Sequence, residues 1–144
     1  GEGPLKDEIN RQAATIPNLD TLGWVSRQEL LDVMDTADLL VLPSTVESFG
    51  TVALEAMARG RLALVSRNCG IVDWPNLVDH IFRIESEETV TDAIRRIANL
   101  DSETRRDTAT AARRAALQLN HSSIVHWVNM LSNTKREAPA GQKQ

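Results

Sequence analysis

The fold is decided by residues 38–65, which read DLLVLPSTVESFGTVALEAMARGRLALV. This stretch opens with an apolar run from Leu39 to Leu42 and closes with another from Leu62 to Val65. Short continuous apolar runs are typical of strands that are buried on both faces of a parallel sheet. The residues between them, 50–59, predict a helix that ends at Gly60. A strand, a helix and a strand in this order predict a parallel βαβ unit with a right-handed crossover.

The N-terminal side of this unit continues the alternation of helices and strands. A helix is expected from Leu5 to Ile16, with Ile9 and Ala13 on its buried side, followed by a short strand from Leu19 to Leu22. Ser26 and Glu29, three residues apart, form the capping-box pattern that begins a second helix. These signals place a helix, a strand and a helix ahead of the first apolar run.

The C-terminal side adds one more strand and a helical end. We expect a strand over 81–84 and then three helices, over 87–100, over 102–119 and from 122 to about 134, with a break at residues 120–121. The fold class is therefore α/β, an open parallel Rossmann-like sheet flanked by helices, with a helical C-terminal segment. Residues 1–134 are predicted to form one domain, and the polar residues 135–144 a flexible tail.

Composition and charge exclude several classes of protein. The chain has 144 residues, enough for one domain with a buried core. Its net charge of -4 argues against a general nucleic-acid binder, which needs a basic face to displace counterions from phosphates. The chain has one cysteine and therefore no internal disulfide, and its longest strand-like apolar run, 39–42, is far too short to span a membrane.

Two glutamates flank the start of the predicted central helix. The helix N-terminus offers free N–H groups and a positive dipole end, and Gly50 lets an anion approach the backbone closely. Glu47 precedes the helix, whereas Glu55 lies inside it, roughly 7.5 Å further along the axis. A carboxylate accepts strong hydrogen bonds from hydroxyl groups. Sugar hydroxyls, a diphosphate and ribose hydroxyls in sequence match this layout, so we expect a nucleotide sugar as the ligand.

The segment resembles the signature of the GT-B glycosyltransferases, in the large retaining group-1 family. That signature is a Glu, seven residues and a second Glu, which Glu47 and Glu55 match within Glu47-Ser48-Phe49-Gly50 and Leu54-Glu55-Ala56. The resemblance implies the donor-binding, C-terminal domain of such an enzyme. It covers about residues 1–100, including Gly1-Glu2-Gly3-Pro4, Leu22-Gly23-Trp24-Val25, and Ala37-Asp38 to Pro43-Ser44.

The resemblance also assigns roles to individual residues. Glu47, the candidate catalytic residue, would hold hydroxyls of the donor sugar, and Glu55 would hold the ribose. The loop around Gly23 and Val25 would flank the base through backbone atoms. The backbone N–H groups of Phe49, Gly50 and Thr51 would meet the sugar and the distal phosphate. Their neighbour Ser48 is also expected to bind the donor.

The resemblance further predicts what lies outside the chain. The family's diphosphate-gripping Arg and Lys and its acceptor domain belong to an N-terminal part that is missing here, so the chain alone is expected to be inactive. The acceptor would be a glycan or a lipid-linked molecule, and the enzyme cytoplasmic, with a peripheral place at the inner face of the membrane as an alternative. No cofactor and no metal are expected, because the sequence has no Asp-any-Asp triplet.

Departures from the family pattern and two other functions remain open. The chain has Cys69-Gly70 where the family has a Gly-Gly pair, and Asp73 where Glu is usual. We expect Cys69 to be an inert thiol rather than a nucleophile, because no histidine stands near it in sequence. The alternative functions are a nucleotide-sugar epimerase of the same fold and a non-enzymatic, doubly wound interaction domain.

Overall fold

The computed structural model describes the backbone of residues 3–133 and the side chains of residues 3–119. Two compact units make up the chain, residues 1–36 and residues 37–144. The predicted single domain over 1–134 stays a prediction, and the predicted tail lies outside the described residues. No helix in the described part of the chain is both long and apolar enough to cross a membrane.

The first unit begins with helix α1, Lys6–Ala13, which is shorter than predicted. None of its residues is buried, and Ile9 is 49% exposed, so the prediction that Ile9 faces a core is wrong. The two apolar residues of the helix, Ile9 and Ala13, lie among charged and amide residues and do not make a stripe wide enough to bury. Hydrogen bonds within the helix support it instead, since Arg11 and Gln12 both donate to the carboxylate of Glu8.

The predicted strand over Leu19–Leu22 is wrong. The segment has irregular backbone, and Leu19 and Leu22 are 43% and 56% exposed. A strand needs a hydrogen-bonded neighbour. Among the residues that the structure describes, no strand pairs with this segment.

Helix α2, Arg27–Thr36, confirms the predicted capping box. The N–H of Glu29 donates to Ser26 Oγ over 3.3 Å, and the N–H of Ser26 donates to Glu29 Oε2 over 2.7 Å. Hydrogen bonding from the side chain of Ser26, and then from its backbone N–H, lowers the pKa of the Glu29 carboxyl, because it stabilises the charged form. On the apolar side of the helix Met34 is buried.

The second unit is built on a parallel sheet. Within the described residues its strands are β1 (Leu39–Leu42), β2 (Leu62–Val65) and β3 (Phe82–Arg83), in the order β1-β2-β3. Every residue of β2 is buried, as predicted for a strand covered on both faces. Strand β1 is only half-buried along its length, so the prediction of full burial is wrong there. It lies at an edge of this sheet, whereas β2 lies between two neighbours.

Helices cover both faces of β2. Helix α3, Thr51–Ala58, and helix α5, Ser102–Asn133, pack on the face that carries Ala63 and Val65. Helix α4, Val90–Ala98, packs on the face that carries Leu62 and Leu64. The α/β class is therefore confirmed.

The C-terminal helix is longer than predicted. The predicted break near residues 120–121 is wrong, because α5 is one helix of 32 residues. Residues 102–133 contain neither Gly nor Pro, so nothing in this stretch forces the backbone out of the helix.

Helix α3 ends as the sequence predicts. Gly60 has a φ of +71°, the left-handed conformation that glycine adopts without strain. The N–H of Gly60 donates to the carbonyl of Met57, and that of Arg61 to the carbonyl of Ala56, both over 2.9 Å. These are the two hydrogen bonds of a Schellman motif, which sets where the chain turns back into β2.

Candidate functional site

Two loops leave the carboxyl edge of the sheet side by side. Loop A, residues 43–50, follows β1, and loop B, residues 66–73, follows β2. The last residues of the two strands, Leu42 and Val65, are paired in the parallel register, so both loops start at the same level. Ligands of open parallel sheets bind at this edge. The sequence places Glu47 in loop A, and the structure agrees.

Hydrogen bonds join the two loops along much of their length. Glu47 and Cys69 form an isolated parallel β-bridge. The N–H of Gly70 donates to the carbonyl of Glu47 over 2.9 Å. The side-chain amide of Asn68 donates to the carbonyl of Thr45 over 3.1 Å. Loop A is therefore stabilised by hydrogen bonds from loop B, in addition to the hydrogen bonds within loop A.

Glycines allow the two loops to approach this closely. A Cβ atom on Gly70 would lie 2.0 Å from the carbonyl oxygen of Ser48. A Cβ atom on Gly50 would lie 2.6 Å from Cys69 Sγ, and the φ of Gly50 is +89°. Real Cβ atoms essentially never come nearer than 3.0 Å to such atoms. Neither position has room for a side chain unless a loop moves.

The side chain of Glu47 folds back on the start of α3. Its Oε1 accepts a hydrogen bond from the N–H of Gly50 over 3.2 Å. No residue in the described part of the chain donates a hydrogen bond to its Oε2. A carboxylate at the positive end of a helix is favoured by the helix dipole. One oxygen of Glu47 is thus fixed by the backbone, and the other can accept a donor from a ligand.

The N-terminus of α3 keeps backbone donors for a ligand. The carbonyl of Gly50 accepts the N–H groups of Ala53 and Leu54, at 2.9 and 3.3 Å. No side chain among the described residues caps this helix. Within the part of the chain that the structure describes, the N–H groups of Thr51 and Val52 therefore have no protein acceptor. Such a helix end attracts anions.

Cys69 lies beneath loop A. Its side chain is fully buried, and its thiol donates to the carbonyl of Phe49 over 3.4 Å. Burial raises the pKa of this thiol, and the charge of Glu47 raises it further. A thiol with a raised pKa is a poor nucleophile at neutral pH, which agrees with the predicted inert role.

The rings of Phe49 and Trp74 meet edge to face, with centroids 5.5 Å apart.

The sequence-predicted residues fall into two groups. Loop A and α3 bring together Glu47, Ser48, Phe49, Gly50 and Thr51, and half-buried Glu55 lies one helical turn beyond Thr51. The other two, Gly23 and Val25, belong to the unit 1–36, and their part in a donor site stays a prediction.

Gly23 borders a concavity within its own unit. It has a φ of +65°. The concavity, of about 680 Å³, is lined by Lys6, Ile9, Asn10, Asp20, Thr21, Leu22, Gly23 and Trp24.

Sequence reasoning missed the contributions of loop B and of Trp74, which directly follows it. The Cys69-Gly70 pair drew attention only as a departure from the family pattern. Asn68 and Trp74 carried no sequence signal, because their contacts with loop A join residues more than twenty positions apart in the chain. Within residues 3–119, no group of three or more His, Cys, Asp or Glu side chains is placed to hold a metal ion.

The geometry agrees with the comparison against known families. The family described as "Glycosyl transferases group 1" matches residues 1–115. The chain belongs to this family, and its helix-flanked parallel sheet is of the GT-B glycosyltransferase type. The class of protein is thus a glycosyltransferase domain.

Individual relatives narrow the comparison. A Mycobacterium tuberculosis protein named GDP-mannose-dependent alpha-(1-6)-phosphatidylinositol dimannoside mannosyltransferase is 31% identical over 81% of the chain and 30% of its own length. Glycogen synthase from the same species is 34% identical over the whole chain and 35% of its own length. The crystal structure of WaaG, a glycosyltransferase involved in lipopolysaccharide biosynthesis, superposes with a TM-score of 0.54 at 27% identity, over 65% of this chain and 26% of WaaG. The chain thus spans about a third of the length of these curated relatives.

Proposed function

We propose that the chain is the donor-binding part of a retaining glycosyltransferase, which takes a hexose from a nucleoside diphosphate sugar and passes it to a glycan or lipid-linked acceptor. The observation that carries the proposal is the start of α3, where the carboxylate of Glu47 and the available N–H groups of Thr51 and Val52 lie together. A mannosyltransferase and a glycogen synthase among the relatives support the transfer of a hexose.

The diphosphate is the group that the N-terminus of α3 suits. Its free N–H groups and the positive end of the helix dipole both favour an anion, and Gly50 has no side chain to keep one away. Negative charge grows on the leaving diphosphate as the glycosidic bond breaks. Donors that are already in place stabilise that charge without reorganising, which lowers the barrier to transfer.

The two glutamates serve the neutral ends of the donor. With Oε1 of Glu47 held by Gly50, Oε2 accepts a hydrogen bond from a hydroxyl of the sugar. Glu55 accepts the ribose hydroxyls from its place further along α3. Neither contact requires a metal ion, so we propose a metal-independent site.

The whole enzyme needs parts beyond this donor site. The chain spans about a third of its curated relatives, and we place the acceptor site in the remainder of such a protein. The chain by itself should therefore bind a donor without transferring its sugar, because no acceptor is held in attack geometry. Product analysis of a full-length enzyme would separate transfer to an acceptor from epimerisation of the donor.

The test is calorimetric titration of the chain with UDP, GDP, ADP and their hexose conjugates. With the pair that binds best, Glu55→Ala should weaken the bare nucleotide and the conjugate alike, by about 1.5–3 kcal/mol, the value of a hydrogen bond to a charged group. Glu47→Ala should weaken only the conjugate. Glu87→Ala, an exposed glutamate in another loop, is the matched control and should change neither affinity.

Three results would contradict the proposal in different ways. Equal losses on the bare nucleotide for Glu47→Ala and Glu55→Ala would show that the two ends of the donor are assigned wrongly. Unchanged affinities in both variants would show that neither carboxylate contacts the donor. A large loss of affinity in EDTA that Mg²⁺ or Mn²⁺ restores would disprove the metal-independent site. Circular dichroism must show that each variant is folded.

A further inference from the structure

Loop B supports loop A, which carries Glu47, the residue that we assign to the sugar. Loop A is tied to loop B at Thr45 by Asn68, at Glu47 by Gly70, and at Phe49 by the thiol of Cys69. The ties occur at alternate residues of loop A, and Glu47 is the middle one. A shift of loop B would therefore carry the backbone of Glu47 with it.

Close packing, in addition to the hydrogen bonds, limits how far loop A can move relative to loop B. Gly70 lies so close to the carbonyl of Ser48 that an added methyl group would require one loop to retreat by roughly 1 Å, because packed protein interiors cannot absorb such an overlap. The neighbouring Cys69 is fully buried against Gly50 on the inner side of loop A. Loop A thus has backbone contacts on one side and a thiol beneath it.

We propose that Gly70 and Cys69 are positioning residues for Glu47, so that loop B fixes where this carboxylate lies and thereby how tightly the donor sugar is held. The inference rests on the proposed function of Glu47. It adds that the discrimination between a sugar conjugate and its bare nucleotide depends on residues that need not touch the donor. A misplacement of about 1 Å is enough to lose much of the gain from an oriented group.

The first test is Gly70→Ala, measured as the ratio of the affinities for GDP-mannose and GDP, or for the best-binding pair of the panel. Loop A should retreat from the added methyl group, and the ratio should fall about tenfold. Gly60→Ala is the matched control, since it strains a left-handed glycine of the same unit outside both loops. It should lower the melting temperature and leave the ratio unchanged. A fall of the ratio in both variants would mean that general destabilisation is the cause.

A double-mutant cycle tests whether Gly70 acts through Glu47. In a Glu47→Ala background the sugar contact is already gone, so adding Gly70→Ala should leave the affinity ratio as it was. If Gly70→Ala still lowers the ratio about tenfold in that background, the positioning role is disproved. The measurement distinguishes a residue that orients Glu47 from one that contacts the sugar itself.

The only cysteine of the chain gives a readout that needs no donor. In the native chain, 5,5′-dithiobis(2-nitrobenzoic acid) should label Cys69 slowly, because the thiol is buried beneath loop A. Gly70→Ala should raise the labelling rate about tenfold by separating the loops. If this variant does not fold, Asn68→Ala removes one exposed tie and should raise the rate in the same direction.

The two readouts separate this inference from the proposed function. A chain that binds no nucleotide or nucleotide sugar contradicts the proposed function, while the labelling rates still decide whether loop B holds loop A. Native Cys69 that reacts as fast as the thiol in urea-unfolded chain overturns the positioning role. So does an unchanged labelling rate in both the Gly70 and the Asn68 variants.

Discussion

Residues 3–36 and residues 37–119 both contain regular helices, yet Met34 is the one buried hydrophobic side chain of the first range, and the rest of the described core lies in the second. In the first range, helix α2 begins at a reciprocal capping box, and α1 carries hydrogen bonds from its own surface residues. In the second, helices α3, α4 and α5 pack on a buried strand. Local hydrogen bonds thus stabilise the helices of residues 3–36, whereas a shared hydrophobic core stabilises those of residues 37–119.

The difference matters because the two kinds of support differ in strength. A cap or an exposed hydrogen bond within a helix is worth from a few tenths to about 2 kcal/mol. A buried leucine is worth about 2–5 kcal/mol when it is cut back to alanine. We therefore expect substitutions at buried positions of the second region to have larger effects than substitutions in the first region.

The largest effect should come from Leu64→Ala. Leu64 is fully buried in β2, and the cavity left by its side chain should lower the free energy of unfolding by about 2–5 kcal/mol. Ile9→Ala, at a position that is 49% exposed in α1, should lower it by less than about 0.5 kcal/mol. Urea unfolding measures both. Equal losses would break the comparison between the two regions.

A smaller loss should follow from Gly50→Ala at the start of α3. Alanine must adopt a φ of +89° and meets the Cys69 sulfur, which together should cost on the order of 2 kcal/mol. Cys69→Ala removes the atom that the new methyl group meets. The double variant should therefore lose less stability than the sum of the two single variants. Strict additivity in urea unfolding would show that the two side chains do not clash.

The capping box should contribute about 1 kcal/mol. Ser26→Ala removes the oxygen that accepts the N–H of Glu29, and hydrogen exchange of the α2 amides should speed up by a corresponding factor. Gln28→Ala is the control, because it breaks only an exposed hydrogen bond to Asp32 and should cost a few tenths of a kcal/mol. If the control speeds exchange as much as Ser26→Ala, the cap is not what supports this helix.

The smallest effect, one that depends on pH, is expected at Glu88. Arg96 donates two hydrogen bonds of 2.9 Å to the carboxylate of Glu88. These bonds are the main reason why the pKa of Glu88 falls from 4.5 to about 2. A carboxyl with a lowered pKa stabilises the fold above its ordinary pKa, and this stabilisation is lost as the pH falls from about 4.5 to about 2. Because Arg96 is 42% exposed, water screens the pair.

Glu88→Gln provides the measurement. The variant should melt slightly below the native chain at pH 7, and the two melting temperatures should converge as the pH approaches 2. A difference that stays constant across this range would show that the charge of Glu88 is not involved.

The same comparison explains how far the sequence could predict the fold. Signals that act within a few residues were read correctly in both regions: the Ser26 cap and the Gly60 helix end depend only on nearby backbone groups. Predictions of burial held for β2 and failed for Ile9 and for β1. An apolar residue is buried only if another element covers it, and a single sequence does not show which element does so.

The candidate site follows the same rule. Glu47 and Glu55 are found from their spacing and from the helix that begins between them, which are local properties. The ties from Asn68, Gly70 and Cys69 to loop A depend on the pairing of Leu42 with Val65, which brings distant segments to one edge of the sheet. Residue types alone do not predict such pairs, because a glycine or an asparagine in a loop has many other reasons to be there.

The contact between Phe49 and Trp74 gives loop A an optical signal of its own. Indole emission depends on the polarity around the ring, and the ring of Trp74, a residue that is 42% exposed, lies against the side chain of Phe49 next to Gly50. The chain has three tryptophans, and Trp24 is 83% exposed. Replacing Trp24 and Trp127 with phenylalanine would leave Trp74 as the only emitter. A molecule that moves Phe49 away from Trp74 would then change the wavelength and the intensity of that emission. Binding that moves Phe49 is therefore detectable by fluorescence without an added label.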